Sequence, residues 1–412
     1  MPQEIPAYPC LPRPKNPKPC RTTPPKFPMP IPYWRLSSFY WFYFAAIGAF
    51  IPYWGLYLKN AGFDTVQIGE LSAVLVACKI VAPNSLGWIA DHTGKSLPIV
   101  RLASFLAVLG FCGFLYAHSY WEYILVTLVF SFFWSAALPQ FEAVTLAHLK
   151  TDAHRYSQIR LWGSVGFIAA VLSVGWLIDR QPMAILPAIM ILLLLGISVA
   201  ALSVPEARAM SHGAEPLKLW RILKKPEVIA FFTVCMLLQT AHSPYYVFYS
   251  IVLKQHHYPS TMIGGLWALG VMAEIVLFLF MRRLLARFPL RALLLTSISL
   301  AIVRWLLIAY LADSTLWLLL AQLLHAMTFG GTHVASIHLV HRYFGSQHQG
   351  KGQALYNSFS AGVGGMVGSY ASGYYFDAIG ATGIYTAAAF CCALPLLIAY
   401  IWIGRDDGKI SP

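Results

Sequence analysis

Several ionisable side chains lie inside long apolar runs, where a mid-helix charge costs on the order of 2.5 to 3.5 kcal/mol and needs a partner or a water-filled cavity. The chief of them are Lys79, Glu142, Arg160, Glu274, Arg304 and His325. A buried carboxyl or imidazole can load and release a proton, and a cation lining a cavity can meet a carboxylate. Glu274 and His325 are therefore candidates for proton coupling, with Arg304 close enough to aid release. Lys79 and Arg160 are candidates to meet an anionic substrate. Glu142 lies about two turns from the end of its run and Arg160 about one turn into the next, from the same side, which predicts an ion pair. Glu70, near the opposite end of its run, should face water at a cavity mouth. Tyr53, Trp54, Trp134, Tyr245 and Tyr246 are candidate walls of an amphipathic cavity. Other chemistries lack their residues. There is no H-E-x-x-H, G-x-S-x-G or G-x-x-x-x-G-K-[ST]. The seven cysteines (10, 20, 78, 112, 235, 391 and 392) have no metal-ligand spacing. An enzyme is not expected, and neither is a metal or another cofactor.

The elements that carry these groups are membrane spans. With 58% apolar residues, 11% charged and a mean hydropathy of +0.62, a chain of 412 residues has too little polar surface to cover a soluble globule. Crossing a ~30 Å hydrocarbon core takes roughly 20 apolar residues. Apolar runs fall near 36–58, 67–90, 97–117, 122–148, 158–178 and 183–203, and again near 227–253, 261–281, 291–312, 315–341, 352–376 and 382–403. An all-α membrane protein of twelve transmembrane helices follows, in two six-helix bundles at 34–203 and 227–403. A polar cytoplasmic linker at 204–226 divides them. Residues 1–33 form a proline-rich tail expected to be disordered, and 404–412 a second tail.

The net charge of +13 would suggest nucleic acid, but the basic residues occupy short loops between apolar runs, so topology explains them better. An even number of spans puts both termini on one side. That side collects all the lysines and arginines except Lys59, Arg180 and Lys254 on the other face and Lys79 and Arg304 within spans. Both termini are thus expected to be cytoplasmic in an inner membrane. No signal peptide precedes the first span, which would itself direct insertion.

The halves look duplicated. Pro52-Tyr53-Trp54 returns as Pro244-Tyr245-Tyr246, and Ile68-Gly69 with Leu71 returns as Ile263-Gly264 with Leu266. In the second register Lys79 falls opposite Glu274. Such repeats mark transporters that rock about a midplane site. Glycines 362, 364, 365, 368 and 373 in the eleventh span permit the close helix approach that rocking needs.

Between the second and third spans stands Gly87-Trp88-Ile89-Ala90-Asp91-His92-Thr93-Gly94-Lys95, which resembles the G-x-x-x-D-[RK]-x-G-[RK] loop of the major facilitator superfamily, with His92 at a basic position. The resemblance implies a cytoplasmic latch of Gly87, Asp91, Gly94 and Lys95, with Asp91 accepting hydrogen bonds from a neighbouring helix N-terminus. Arg282-Arg283-Leu284-Leu285-Ala286-Arg287 is its degenerate counterpart. The charged set resembles the lactose-permease type of proton symporter, helix for helix, at Glu142, Arg160, Glu274, Arg304 and His325. Where that type carries its proton-bearing carboxylate, one turn beyond the histidine, this chain has Thr328. Tyr156-Ser157-Gln158-Ile159-Arg160-Leu161-Trp162-Gly163, Leu237-Leu238-Gln239-Thr240-Ala241-His242-Ser243-Pro244, Val303-Arg304-Trp305 and Leu324-His325-Ala326-Met327-Thr328-Phe329 resemble the phenylpropionate permease family. This similarity spans residues 33–403 and implies proton-coupled uptake of a small carboxylate, aromatic or not, by a monomer in the lipid bilayer. The fifth span lacks the Gly-Pro pair of many drug–proton antiporters, which favours uptake over efflux. The alternatives are a facilitator or exporter of sugars, nucleosides or drugs, and a non-transporting sensor, which would need a sizeable soluble domain.

Overall fold

Local capping signals set several helix boundaries in the computed structural model, which describes residues 31–206 and 219–404. The proline-rich tail up to residue 30, most of the linker and the last eight residues lie outside the described residues. In the first half, α1 (Tyr33–Asn60) is followed by α2 (Thr65–Thr93). A capping box opens α2: Asp64 accepts from the Gln67 amide at 2.8 Å while Gln67 Oε1 accepts from the Asp64 amide at 3.1 Å. Gly94, left-handed at φ 67°, closes it. Next come α3 (Ser96–Cys112), with a 3-10 turn to Leu115, and α4 (Tyr120–Leu149), opened by a second box of Ser119 and Glu122. The half ends with α5 (Tyr156–Ile178) and α6 (Leu186–Ser203). After a short α7 (Leu219–Leu223), the second half holds α8 (Pro226–Gln255), α9 (Ser260–Arg287), α10 (Leu290–Tyr310), α11 (Thr315–His325), α12 (Thr332–Asn357) and α13 (Gly365–Trp402). Two π-helical turns, Ala326–Gly331 and Ser358–Gly364, join α11 to α12 and α12 to α13.

Ten helices among the described residues are long and apolar enough to cross a membrane. The last of them runs His348–Trp402, 55 residues. At 1.5 Å per residue that is roughly 80 Å, far beyond one bilayer. Gly380 breaks it at φ 68°, ψ 178°, a conformation that needs the absent Cβ. The expected spans at 352–376 and 382–403 lie on either side of this break. The expected span at 315–341 falls on α11, the first π turn and α12, which Gly345 breaks in the same way. It is not among the ten.

Each half has its own aromatic core, Phe39, Phe111, Phe130 and Phe141 in the first and Tyr245, Tyr249, Trp305 and Tyr385 in the second. Large apolar side chains such as Leu192 and Phe390 stay exposed on the outer faces, as lipid contact requires. Pro52 and Pro244 both sit inside helices, each followed by a buried tyrosine, so the sequence repeat is also a structural one.

The helices alternate between a near end, from which residues 31 and 404 lead away, and a far end. The halves meet closely at the far end because glycines remove side chains there. A Cβ on Gly69 would lie 2.7 Å from Gly373 Cα, one on Gly264 2.5 Å from the Val171 carbonyl and one on Gly175 2.6 Å from the Ser260 carbonyl.

Candidate functional site: a cavity between the halves

A cavity of about 300 Å³ lies between the halves, walled by α1, α2, α8, both π turns and the start of α13. Its volume is at the lower end of small-ligand pockets. Among the described residues, Lys79 is the one charged side chain in the lining. Cys78 points into the first half, its thiol 3.7 Å from the Leu128 carbonyl, so Lys79, a helical step of about 100° further round, turns toward the opening and stays exposed. Phe50, Trp54, Tyr246 and Phe329 supply aromatic wall, and Ser72, Gln239, Ser243 and Ser369 supply scattered polar groups. Each π turn contributes a lining residue, Phe329 and Ala361. π turns inside α-helices frequently mark functional sites.

Three of the expected cavity residues, Lys79, Trp54 and Tyr246, line this space. The others do not. In each Pro-Tyr repeat the tyrosine turns into protein and the next aromatic faces the cavity. Tyr53 is fully buried and donates to the Val171 carbonyl at 2.7 Å. Tyr245 is buried and donates to Gln322 Oε1 at 3.0 Å. Trp134 stacks on Phe130 at 5.1 Å, within the first half.

The expected Glu142–Arg160 ion pair is not formed. Glu142 accepts from the Tyr156 hydroxyl at 3.1 Å, and the Arg160 guanidinium lies over the Phe44 ring at 3.8 Å. A cation over an aromatic face is stabilised without a counterion. The charge of Arg160 also reaches across to Glu274 and His333 on the second half. Glu274 is half-buried, its Cγ placed where a Cβ on Gly330 would come within 3.1 Å. Glu274 and Arg304 form no ion pair among the described residues. Arg304 is wholly buried, donating from Nε to the Ala321 carbonyl at 3.0 Å, with its guanidinium 4.3 Å from the Tyr245 ring and 4.5 Å from that of Trp305. His325 sits between Tyr245 and Phe329, at 5.7 and 5.4 Å. Lys79 and Glu274, opposite in the repeat, make no ion pair among the described residues. Glu70 accepts a hydrogen bond from the Tyr120 hydroxyl.

The latch motif is mostly helix rather than loop, since α2 continues through Thr93 and Gly94 is its left-handed cap. Gly87 faces α4, where a Cβ would lie 3.2 Å from Gln140 Nε2. Asp91 and Lys95 are exposed, and Asp91 has no hydrogen-bond or ion partner among the described residues.

Two acids at the far end were missed by sequence reasoning. Asp179 accepts from the backbone amides of Ser260 and Thr261 and from the Thr261 hydroxyl, each at 2.7 Å, with Lys254 Nζ at 3.7 Å. It thereby caps the N-terminus of α9, where N–H groups lack partners of their own. Partial burial pushes its carboxyl up, but the hydrogen bonds from Thr261 and Ser260 outweigh this and hold it at about 2. Asp377 accepts from Thr65 Oγ1 at the start of α2, at 2.7 Å. The signal was available: Gly175-x-x-x-Asp179 and Gly373-x-x-x-Asp377 repeat at a common offset, with a contact-making glycine one turn before each acid.

Two helical halves, joined at one end around a cavity with a single lining cation, define a transporter of the major facilitator build. The chain matches the MFS_1 like family over residues 33–387 and belongs to that family. It is 29% identical over 373 residues to a probable 3-phenylpropionic acid transporter of Escherichia coli, covering 88% of this chain and 95% of that one. It is 26% identical to a maltose permease of Geobacillus stearothermophilus, covering 89% and 94%. Its fold matches a crystal structure of the nucleoside transporter NupG with a TM-score of 0.78 at 17% identity, over 90% of this chain and 98% of that one. The chain is a multi-pass membrane transporter, not an enzyme.

Proposed function

We propose that the protein takes up a small aromatic carboxylate together with a proton, by alternating access, as a monomer in the cytoplasmic membrane with both termini inside. The observation that carries this reading is the lining of the central cavity. Lys79 is its only charge among the described residues, facing aromatic walls of Phe50, Trp54, Tyr246 and Phe329. A carboxylate with an apolar ring complements both features. A sugar or nucleoside would need more polar partners than the four scattered ones provide. The relative that bears the name of a 3-phenylpropionic acid transporter agrees with this chemistry. The bias of lysine and arginine toward the terminal side supports the orientation. Glu274 is the proposed proton carrier, since its acid lies within the field of Arg160 from the other half and can exchange that interaction for a proton as the halves move.

The test is uptake into proteoliposomes with the outside made acid, using 3-phenylpropionate, maltose and uridine. The carboxylate should accumulate and the other two should not. Lys79→Met should cost about 100-fold in uptake, the scale of removing one partner of a buried charge pair. Full uptake by that variant, or accumulation of maltose or uridine instead, would remove the carboxylate reading. Carboxylate entry indifferent to the proton gradient would make the protein a facilitator.

A further inference from the structure

Among the described residues, one buried cation of the second half has no counter-charge. Arg304 is fully buried, and of its five N–H groups only Nε–H has a partner. Nη1 and Nη2 are buried without one. The rings of Tyr245 and Trp305 lie 4.3 and 4.5 Å from the guanidinium carbon and account for its faces, but they leave its N–H edges unmatched. Arginine keeps its charge in every protein environment, so deprotonation offers no escape. Cation–π contacts return less than a bare buried charge costs.

The groups around it add donors. The Tyr245 hydroxyl occupies Gln322 Oε1, which leaves the buried Gln322 Nε2 without a partner. Beside them the Tyr249 hydroxyl is also buried and unpartnered. Helices α8, α10 and α11 thus gather N–H and O–H groups around the guanidinium, and the acceptors beside them, the tyrosine hydroxyl oxygens and the unpartnered His242 Nε2, carry no negative charge. Water would satisfy donors but not the charge. No described residue supplies the anion: Arg304 forms no ion pair among them, and one turn beyond His325 the residue is Thr328, whose hydroxyl donates to the His325 carbonyl at 3.3 Å. Nor does the central cavity, since Arg304 is absent from its lining.

We propose that a small inorganic anion, a halide, binds against Arg304, Gln322 and Tyr249 at a site separate from the substrate cavity. A halide is a single sphere that accepts several N–H and O–H bonds at once. It needs no mouth wide enough for a ring.

The experiment measures thermal unfolding of the purified full chain in potassium chloride, potassium bromide and potassium gluconate at constant ionic strength. Chloride and bromide should each raise the midpoint saturably, by about 3 °C or more over gluconate. Arg304→Met keeps much of the stem volume without the charge and should abolish the difference between the salts. Gln322→Leu, with the arginine in place, should raise the half-saturating chloride concentration about tenfold. Added 3-phenylpropionate should leave that concentration unchanged in the native protein. Equal midpoints in chloride and gluconate would overturn the proposal, as would a halide effect that survives Arg304→Met. Competition by 3-phenylpropionate would assign the site to an organic carboxylate and overturn it too. No step requires transport, so failure here and failure of the uptake panel are separate outcomes.

Discussion

Helices α5 and α9 face each other along their length, and their two ends are in opposite conditions. At the far end α5 presents Asp179 to the first amides of α9, and a charge-assisted cluster of hydrogen bonds forms there. At the near end α5 presents Arg160 and α9 presents Glu274, yet the arginine rests on Phe44 and no ion pair forms. The second cross-half seam, α2 against α13, repeats the pattern. Asp377 holds Thr65 at the far end, and Asp91 stands unpartnered among the described residues at the near end. One end is fastened and the other is not, on the same rigid rods. The difference teaches that the charged groups of this chain divide into those engaged across the halves in this structure and those with no cross-half partner among the described residues.

Removing the near-end charge should have the largest effect. Glu274→Gln is expected to cut gradient-driven accumulation about 100-fold while sparing exchange of labelled for unlabelled substrate. Active accumulation at the native level would strip Glu274 of the proton role. The far-end fasteners should respond in proportion to their bonds. With a cysteine at Ser72 in the cavity, labelling by an impermeant maleimide from the far side should rise about tenfold in Asp179→Ala, which loses three hydrogen bonds and a lysine neighbour. In Asp377→Ala, which loses one, about threefold is expected. The reverse order would mean that the α2–α13 seam dominates closure. The smallest effect is that of pH. Because the Asp179 carboxyl is held at about 2, below the ordinary carboxylate range, its contribution is complete above that range and lost only as pH falls through about 2. Native labelling should therefore be flat from about pH 5 to 8, and a rise in that window would place the fastening on another group.

The architecture was legible because hydrophobic runs, loop charge and the Gly87–Lys95 motif are local signals that the bilayer enforces. Lys79 was legible as a cavity residue because it is a charge at mid-span, and Trp54 and Tyr246 because they are amphipathic groups at matching places in the two Pro-Tyr repeats. What sequence could not give was rotation about the helix axis. Tyr53 and Trp54 are neighbours, but a step of about 100° sends one into the seam with α5 and the other into the cavity. The Glu142–Arg160 pairing failed because matching depth says nothing of competitors, here the Tyr156 hydroxyl and the Phe44 ring. The count of spans blurred where one helical run, 348–402, carries two of them on either side of the Gly380 break. Asp179 and Asp377 passed unnoticed because at helix ends an aspartate is ordinary, and only its partner on the other half gives it meaning.

The Tyr53 hydroxyl has a consequence of its own. It donates to the Val171 carbonyl on α5 at 2.7 Å and lies 3.4 Å from the Ser260 carbonyl on α9, beside Gly175 and Gly264, where no side chain intervenes. Two rigid bodies that swing against each other need a fulcrum, a point where travel is least and leverage is set. A phenol hydroxyl suits that duty, because it can turn its one proton between two carbonyls while its ring stays clamped in the first half.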